Sequence, residues 1–261
     1  MEAGLTPLQY LLGAASGGLV GFTLGLVGGG GSILAMPLMV YLVGVANPHV
    51  AIGSSALAVA ANAASGLAQH ARARNVRWGA GIAFAAAGVL GALAGSTLGK
   101  ALDGHRLLFL FALLMIVVGV VMLRRREQVG VVGGRLTRVT APRLIVLGGA
   151  TGLLSGFFGI GGGFLIVPGL IAATRMPMIN AVGTSLIAVT AFGLTTALNY
   201  AASGMIDWPL AAIFILGGIA GGVTGTRLAR RLSRRGALTP VFAALIFAVA
   251  GYMLWKSGSA L

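Results

Sequence analysis

The chain is 261 residues long, 57% hydrophobic and only 8% charged. A soluble domain carries about a quarter charged residues, so a water-soluble globule is excluded and a polytopic α-helical membrane protein is expected. The net charge of +14 does not call for nucleic acid, because the basic residues gather between apolar runs, and the lack of cysteine excludes disulfides and thiolate metal sites.

In chain order, apolar segments fall at 8–27, 32–46, 49–70, 79–101 and 107–123. After a polar stretch at 124–143 they resume at 144–158, 163–174, 179–202, 208–229 and 239–255. The first run has neither the charged flank nor the cleavage site of a signal peptide, so it is expected to stay in the mature protein. The first two segments are joined by Gly25-Leu26-Val27-Gly28-Gly29-Gly30-Gly31-Ser32, with Pro37 beyond. The run recurs as Gly156-Phe157-Phe158-Gly159-Ile160-Gly161-Gly162-Gly163, with Pro168 in the matching place. A shift of 131 positions lays Gly21, Gly25, Gly28 and Pro37 on Gly152, Gly156, Gly159 and Pro168. A shift of 130 lays Gly53-Ser54-Ser55 on Gly183-Thr184-Ser185, Trp78 on Trp208, and Gly88, Gly91 and Gly95 on Gly218, Gly221 and Gly225. The chain therefore reads as one five-segment unit used twice: a first membrane repeat at 1–123, a basic cytoplasmic linker at 124–143 and a second repeat at 144–261.

The arginines set the relative orientation of the halves. If each Gly-bend pair crosses twice or not at all, each half crosses an odd number of times and the halves are inverted. That arrangement puts 15 of the 18 basic residues on one side and leaves only Lys100, Arg106 and Lys256 on the other. If each pair is one broken crossing, the halves are parallel and the split falls to 10 against 8. The excess of Lys and Arg on the cytoplasmic side favours inversion. Length leaves open whether the bends cross fully or re-enter, since the arms at 8–27 and 32–46 would measure about 30 Å and 22 Å. The expected fold is thus an all-α polytopic membrane protein of two inverted-topology repeats, with broken or re-entrant helices at the Gly-rich bends.

Inverted-repeat carriers hold substrate near the midplane, where broken helices offer unpaired N–H groups to anions. Gly28, Gly29, Gly30, Gly31 and Ser32, with Gly161, Gly162 and Gly163, are the candidates for such donors; a tight turn or close helix crossing would also account for them. Ser54, Ser55, Thr184 and Ser185 follow a glycine near the start of an apolar segment, where a hydroxyl can cap a helix or face a substrate oxygen. Asn62 and Asn199 are amides inside apolar runs, suited to interhelical hydrogen bonds or to substrate. Gln69 and His70 beside Arg72 are expected at the interface, His49 as a solvated or capping residue, and Trp78 and Trp208 as interfacial anchors. The only acids, Glu2, Asp103, Glu127 and Asp207, fall at a terminus or between apolar runs. No carboxylate is placed to relay protons or hold sodium, which favours an anionic cargo. No Walker loop or paired catalytic carboxylates occur, so neither an enzyme nor a cofactor is implied.

The duplicated glycine runs with Pro37 and Pro168, and the Gly53-Ser54-Ser55 and Gly183-Thr184-Ser185 elements, resemble the sulfite exporter (TauE/SafE) family of membrane permeases, over nearly the whole chain. The resemblance implies an inner-membrane transporter of sulfur-containing or organic anions such as sulfite, sulfoacetate or related sulfonates. Some relatives look to use cysteines for thiosulfate uptake; this chain has none. The expected partners are a small anion and the lipid bilayer, with monomer and homodimer both open. A passive anion channel, or an assembly protein whose bends are packing devices, would share these features.

Overall fold

The computed structural model describes residues 6–124, 137–159, 163–233, 247–252 and the single positions 244 and 255. Among them there is no strand. Helix α1 (Pro7–Val27) begins at a capping box: the Thr6 hydroxyl accepts the Gln9 N–H and the Gln9 side chain accepts the Thr6 N–H, with Pro7 at the first helical position. The glycine run that follows winds as a tight 3-10 stretch, Gly28–Leu34, then one α turn, α2 (Ala35–Pro37), and one π turn, Leu38–Leu42. The second arm is therefore not the regular helix from Ser32 that its apolar sequence suggests. Four glycines in a row favour no α-helix, and the absent N–H of Pro37 interrupts the ladder. Then come α3 (Pro48–Arg72), α4 (Trp78–Lys100), α5 (Gly104–Arg124), α6 (Thr140–Phe158), α7 (Gly163–Thr174), α8 (Met178–Ala201) and α9 (Trp208–Ser233).

The apolar stretch Pro7–Leu42 covers 36 residues. As one straight helix it would measure about 54 Å, far beyond a bilayer core of about 30 Å. It is instead a hairpin: the Gln9 side-chain amide donates to the Val43 carbonyl at 3.0 Å, so the two ends of the segment lie side by side. The bend of the first half thus returns the chain to the end from which α1 set out. Five further helices are long and apolar enough to span a membrane: α3, α4, α6, α8 and the Trp208–Ala229 part of α9. The chain is an all-α polytopic membrane protein.

Contact register gives each helix its direction. Gly17 and Gly21 of α1 pack on the backbone of Phe214 and Gly218, and Gly25 on that of Gly222 and Thr226, so α1 runs parallel to α9. Gly148, Gly152 and Gly156 of α6 pack in the same way on Phe84, Gly88 and Ala92, so α6 runs parallel to α4. Helix α8 starts where α4 starts, with Asn180 hydrogen-bonded to the Asn75 carbonyl, and ends where α4 ends, with Asn199 bonded to Lys100. Because α9 returns from α8, it runs opposite to α4. Helix α1 consequently runs opposite to its sequence counterpart α6. Each half lends its first helix to the other half's fourth helix. These seams are lined with glycine, and small residues let helix backbones approach closely in lipid.

The same register sorts the loops. Arg72, Arg74, Arg77, Arg138, Arg143, Arg175 and Arg227 gather at one end of the helices, and Lys100, Asp103, Arg106 and Asp207 at the other. Trp78 and Trp208, 50% and 61% exposed, open α4 and α9 at opposite ends, as interfacial anchors would. Phe84, Phe111, Phe192, Phe214 and Tyr200 are fully buried, whereas Leu90, Leu98, Leu198 and Leu216 are turned outward, where hydrocarbon rather than water suits them.

Candidate functional site

The glycine bend of the first half is wholly buried, from Gly28 through Leu34. Gly28 has φ +66° and ψ −142°, a backbone conformation essentially reserved for glycine, and this residue turns the chain out of α1. Its position lies against the Val182 carbonyl and the Ser185 hydroxyl of α8. Gly29 then meets Gly163, the first residue of α7, backbone to backbone; a Cβ on Gly163 would fall on the Gly29 carbonyl, and one on Gly29 would lie 2.7 Å from Gly163 Cα. In the second half α7 returns alongside α6, with Gly169 facing Thr151, so α6 and α7 form a second hairpin; the bend of the first touches the start of α7 beside Val189, midway along α8. Gly161 and Gly162 lie outside the described residues.

The polar groups at this contact are few and mostly engaged. The Gly29 N–H donates to Ser185 Oγ at 3.0 Å, and Ser185 Oγ donates to the Val182 carbonyl at 2.8 Å. Ser32 Oγ donates to the Gly29 carbonyl at 2.8 Å, and Thr23 Oγ1 lies 3.1 Å from the Gly31 carbonyl, tying the bend to the last turns of α1. Ser55, the counterpart of Ser185, donates to the Ile52 carbonyl at 3.1 Å. Gly30 and Gly31 are held within the tight 3-10 turn. Ser32, Ser55 and Ser185 are at most 1% exposed, so the region is closed to solvent in this conformation.

The other two hydroxyls of the Ser/Thr pairs serve the opposite repeat. Ser54 Oγ accepts the Asp207 N–H at 2.8 Å, just ahead of α9, and Thr184 Oγ1 accepts the Arg77 N–H at 2.9 Å, just ahead of α4. These two bonds occupy equivalent places in the halves. They satisfy helix-start donors that would otherwise be orphaned. Of the four hydroxyls, Ser185 thus bonds to the bend, Ser55 bonds within α3, and Ser54 and Thr184 hold loops.

Asn62 and Asn199 have separate fates. Asn199 lies away from the tips, at the end of α8, where its side chain accepts from Lys100 Nζ at 2.9 Å and donates to Ser96 Oγ and Thr97 Oγ1. Lys100 Nζ also donates to the Asn199 carbonyl and to Ser203 Oγ. Asn62 is 4% exposed on α3, against Gly218 of α9, and neither its amide nitrogen nor its oxygen has a partner. His70 is fully buried between helices, with Nε2 3.2 Å from the Gly25 carbonyl. Position 70 falls on the face of α3 that meets α1. His49 is only partly exposed, with Nε2 3.1 Å from the Leu102 carbonyl, so it braces the α4–α5 loop and is not simply solvated. Sequence reasoning had no handle on His70 or Lys100 beyond their helix faces, since both find partners distant in the chain. Among the described residues, no group of three or more His, Asp or Glu could hold a metal ion.

Comparison with known proteins adds the following. The family described as sulfite exporter TauE/SafE matches residues 13–253. A probable membrane transporter protein of Xylella fastidiosa (strain 9a5c) is 52% identical over 98% of this chain and 99% of its own length. The probable membrane transporter protein YdhB of Bacillus subtilis is 27% identical over 90% of this chain and 96% of its own. A third relative, the probable membrane transporter protein MJ0441 of Methanocaldococcus jannaschii, is 25% identical over 82% of this chain and 86% of its own. No solved structure matches the chain.

Proposed function

Since the chain belongs to the sulfite exporter TauE/SafE family of membrane transporters, we propose that it is a secondary carrier moving small sulfur-containing or organic anions, such as sulfite, sulfoacetate or related sulfonates, across the inner membrane. The observation that carries this reading is the meeting of two hairpins from opposite ends at Gly29 and Gly163. Residues of both halves meet there, Gly28 and Gly29 from the first and Gly163 and Ser185 from the second, and these, with Ser32 and Ser55, are the proposed site. Backbone N–H groups and hydroxyls are the donors an oxyanion needs, and among the described residues no carboxylate is placed with them to repel it.

The two repeats, 1–123 and 144–261 with the 124–143 linker between, act as the moving parts of an alternating-access cycle. Rocking one hairpin against the other separates Gly29 from Gly163, frees the Gly29 N–H from Ser185 and opens the site to one side at a time. The arginine-rich end faces the cytoplasm. The test is flux of labelled sulfite in proteoliposomes, comparing wild type with Ser185→Ala and Gly30→Leu. Saturable flux in wild type that falls at least tenfold in both variants is expected; equal rates in all three would remove the assignment of the site.

A further inference from the structure

At the arginine-rich end, α3 and α9 flank an open cavity of about 490 Å³ lined by Ser65, Ala68, Gln69, Arg72, Val223 and Arg227. Two exposed guanidiniums, an amide and a hydroxyl line it. Of the chain's four carboxylates, Asp103 and Asp207 lie at the opposite end, and Glu2 and Glu127 lie outside the described residues. Spacings of three, four and three residues place Asn62, Ser65, Gln69 and Arg72 on one face of α3. That face meets α9: Asn62 abuts Gly218, and Gln69 Nε2 approaches the Gly222 position at 3.9 Å. The polar row thus runs from the mouth of the cavity to Asn62, about 15 Å along the helix from Arg72. There it ends on an amide that is 4% exposed and unpartnered at both atoms. A buried amide without partners has a strong demand for a ligand.

The other half builds the same seam with less charge: Thr195 and Asn199 stand where α3 has Ser65 and Gln69, but Phe192 and Ala202 stand where the first half has Asn62 and Arg72, and Thr97 of α4 stands where α9 has Arg227. Phe192 fills that seam against Gly88 and stacks on Phe84 at 6.4 Å. Lys100 crosses its end to bind Asn199 and Ser203. One seam is packed and pinned; the other is open and lined with donors. Topology alone explains arginines at this end. It does not explain the unpartnered Asn62 amide below them.

We propose that the α3–α9 cavity is a second anion site, separate from the hairpin tips: Arg72 and Arg227 hold an oxyanion at its mouth, with Gln69 and Ser65 donating to it and Asn62 as the next donor inward. The guanidinium fork suits two oxygens of one sulfite, sulfate or phosphate group. That chemistry belongs equally to a free oxyanion and to an anionic lipid headgroup, and the two sources are separable by experiment. The site stands on the cavity and does not depend on which anion is carried.

The experiment is anaerobic calorimetric titration of sulfite into the full chain in nanodiscs of neutral phosphatidylcholine, for wild type, Arg72→Gln/Arg227→Gln, Ser185→Ala and the charge control Arg138→Gln. A sulfite binding event that is lost in the double variant and kept in Arg138→Gln supports the cavity, whether or not a further event that depends on Ser185 remains. A second arm replaces part of the lipid with phosphatidylglycerol; loss of the sulfite signal there, in wild type only, assigns the cavity to headgroups as well. Sulfite binding that survives in Arg72→Gln/Arg227→Gln and disappears in Ser185→Ala overturns the cavity while leaving the tip site standing. If wild type and the double variant are indistinguishable in both lipids, the cavity site is likewise overturned. Asn62→Leu, which keeps the mouth and removes the inner donor, is expected to weaken binding about threefold and to slow flux more than it weakens binding.

Discussion

Ser185 of α8 holds the Gly29 N–H inside a closed contact, and that bond ties the bend of the first half to the second half. Replacing it with alanine leaves a buried N–H without an acceptor, a loss of about 1–3 kcal/mol. Ser185→Ala should therefore lower the midpoint of thermal unfolding in detergent, and Ser54→Ala should do so by a similar amount, since it orphans the Asp207 N–H. Flux separates the two: at matched temperature below unfolding, Ser185→Ala is expected to lose it and Ser54→Ala to keep most of it. Equal losses would mean that both hydroxyls act through stability alone. Gly163→Ala is harsher, because its methyl would meet the Gly29 carbonyl and neither backbone is free to move; overpacking of this kind costs about 1–3 kcal/mol or more, read as a loss of folded protein by size-exclusion chromatography. The pairing of Ser54 with Thr184 and of Ser55 with Ser185 is legible in the sequence. What each hydroxyl touches is not, because the acceptor–donor partners lie far away in the chain: Ser54 and Asp207 are 153 residues apart. His70 shows the same gap, since only the register of α3 against α1 places its ring beside the Gly25 carbonyl.

At the level of helices, length alone could not choose between a broken crossing and a hairpin. The bond from Gln9 to Val43 does, because it needs both ends of the first segment together. The glycines at 17, 21 and 25, and their twins at 148, 152 and 156, announce close packing in the sequence; that they pack on the opposite half follows only from the fold. Gly21→Leu or Gly152→Leu is expected to wedge α1 from α9 or α6 from α4 and to leave no monodisperse protein after extraction, whereas Gly204→Leu, in a loop with open space around it but a φ of +68°, should cost about 1–2 kcal/mol and leave the fold intact. Lys100 pins α4 to α8 through Asn199 and Ser203. A hydrogen bond to a charged group contributes about 1.5–3 kcal/mol when buried, less where solvent reaches it as here. Lys100→Met should accordingly speed amide hydrogen exchange around residues 199–204 by about tenfold and leave exchange around 70–77 unchanged. Uniform change at both ends would show that Lys100 supports global stability and not a local pin.

Taken whole, the molecule places Arg72, Arg74, Arg77, Arg138, Arg143, Arg175 and Arg227 at one end and sets its two hairpins pointing from opposite ends toward a shared centre. The uneven distribution of arginine was visible in the sequence and led to the same opposed directions for α1 and α6 that the seams give. The meeting of the tips was not visible, because periodicity says nothing about which glycine of a run faces which. The natural chain has no cysteine, so single cysteines introduced into it report without background. The most direct test of the shared, alternately opened site uses Ser32→Cys in proteoliposomes, with flux confirmed and Ser55→Cys as the second position. A membrane-impermeant thiol reagent is applied from each side in turn, with and without sulfite. Modification from both sides, slowed by sulfite, is the predicted result. Transport-competent Ser32→Cys and Ser55→Cys variants that stay unreactive from both sides, or react at a rate sulfite does not alter, would contradict it.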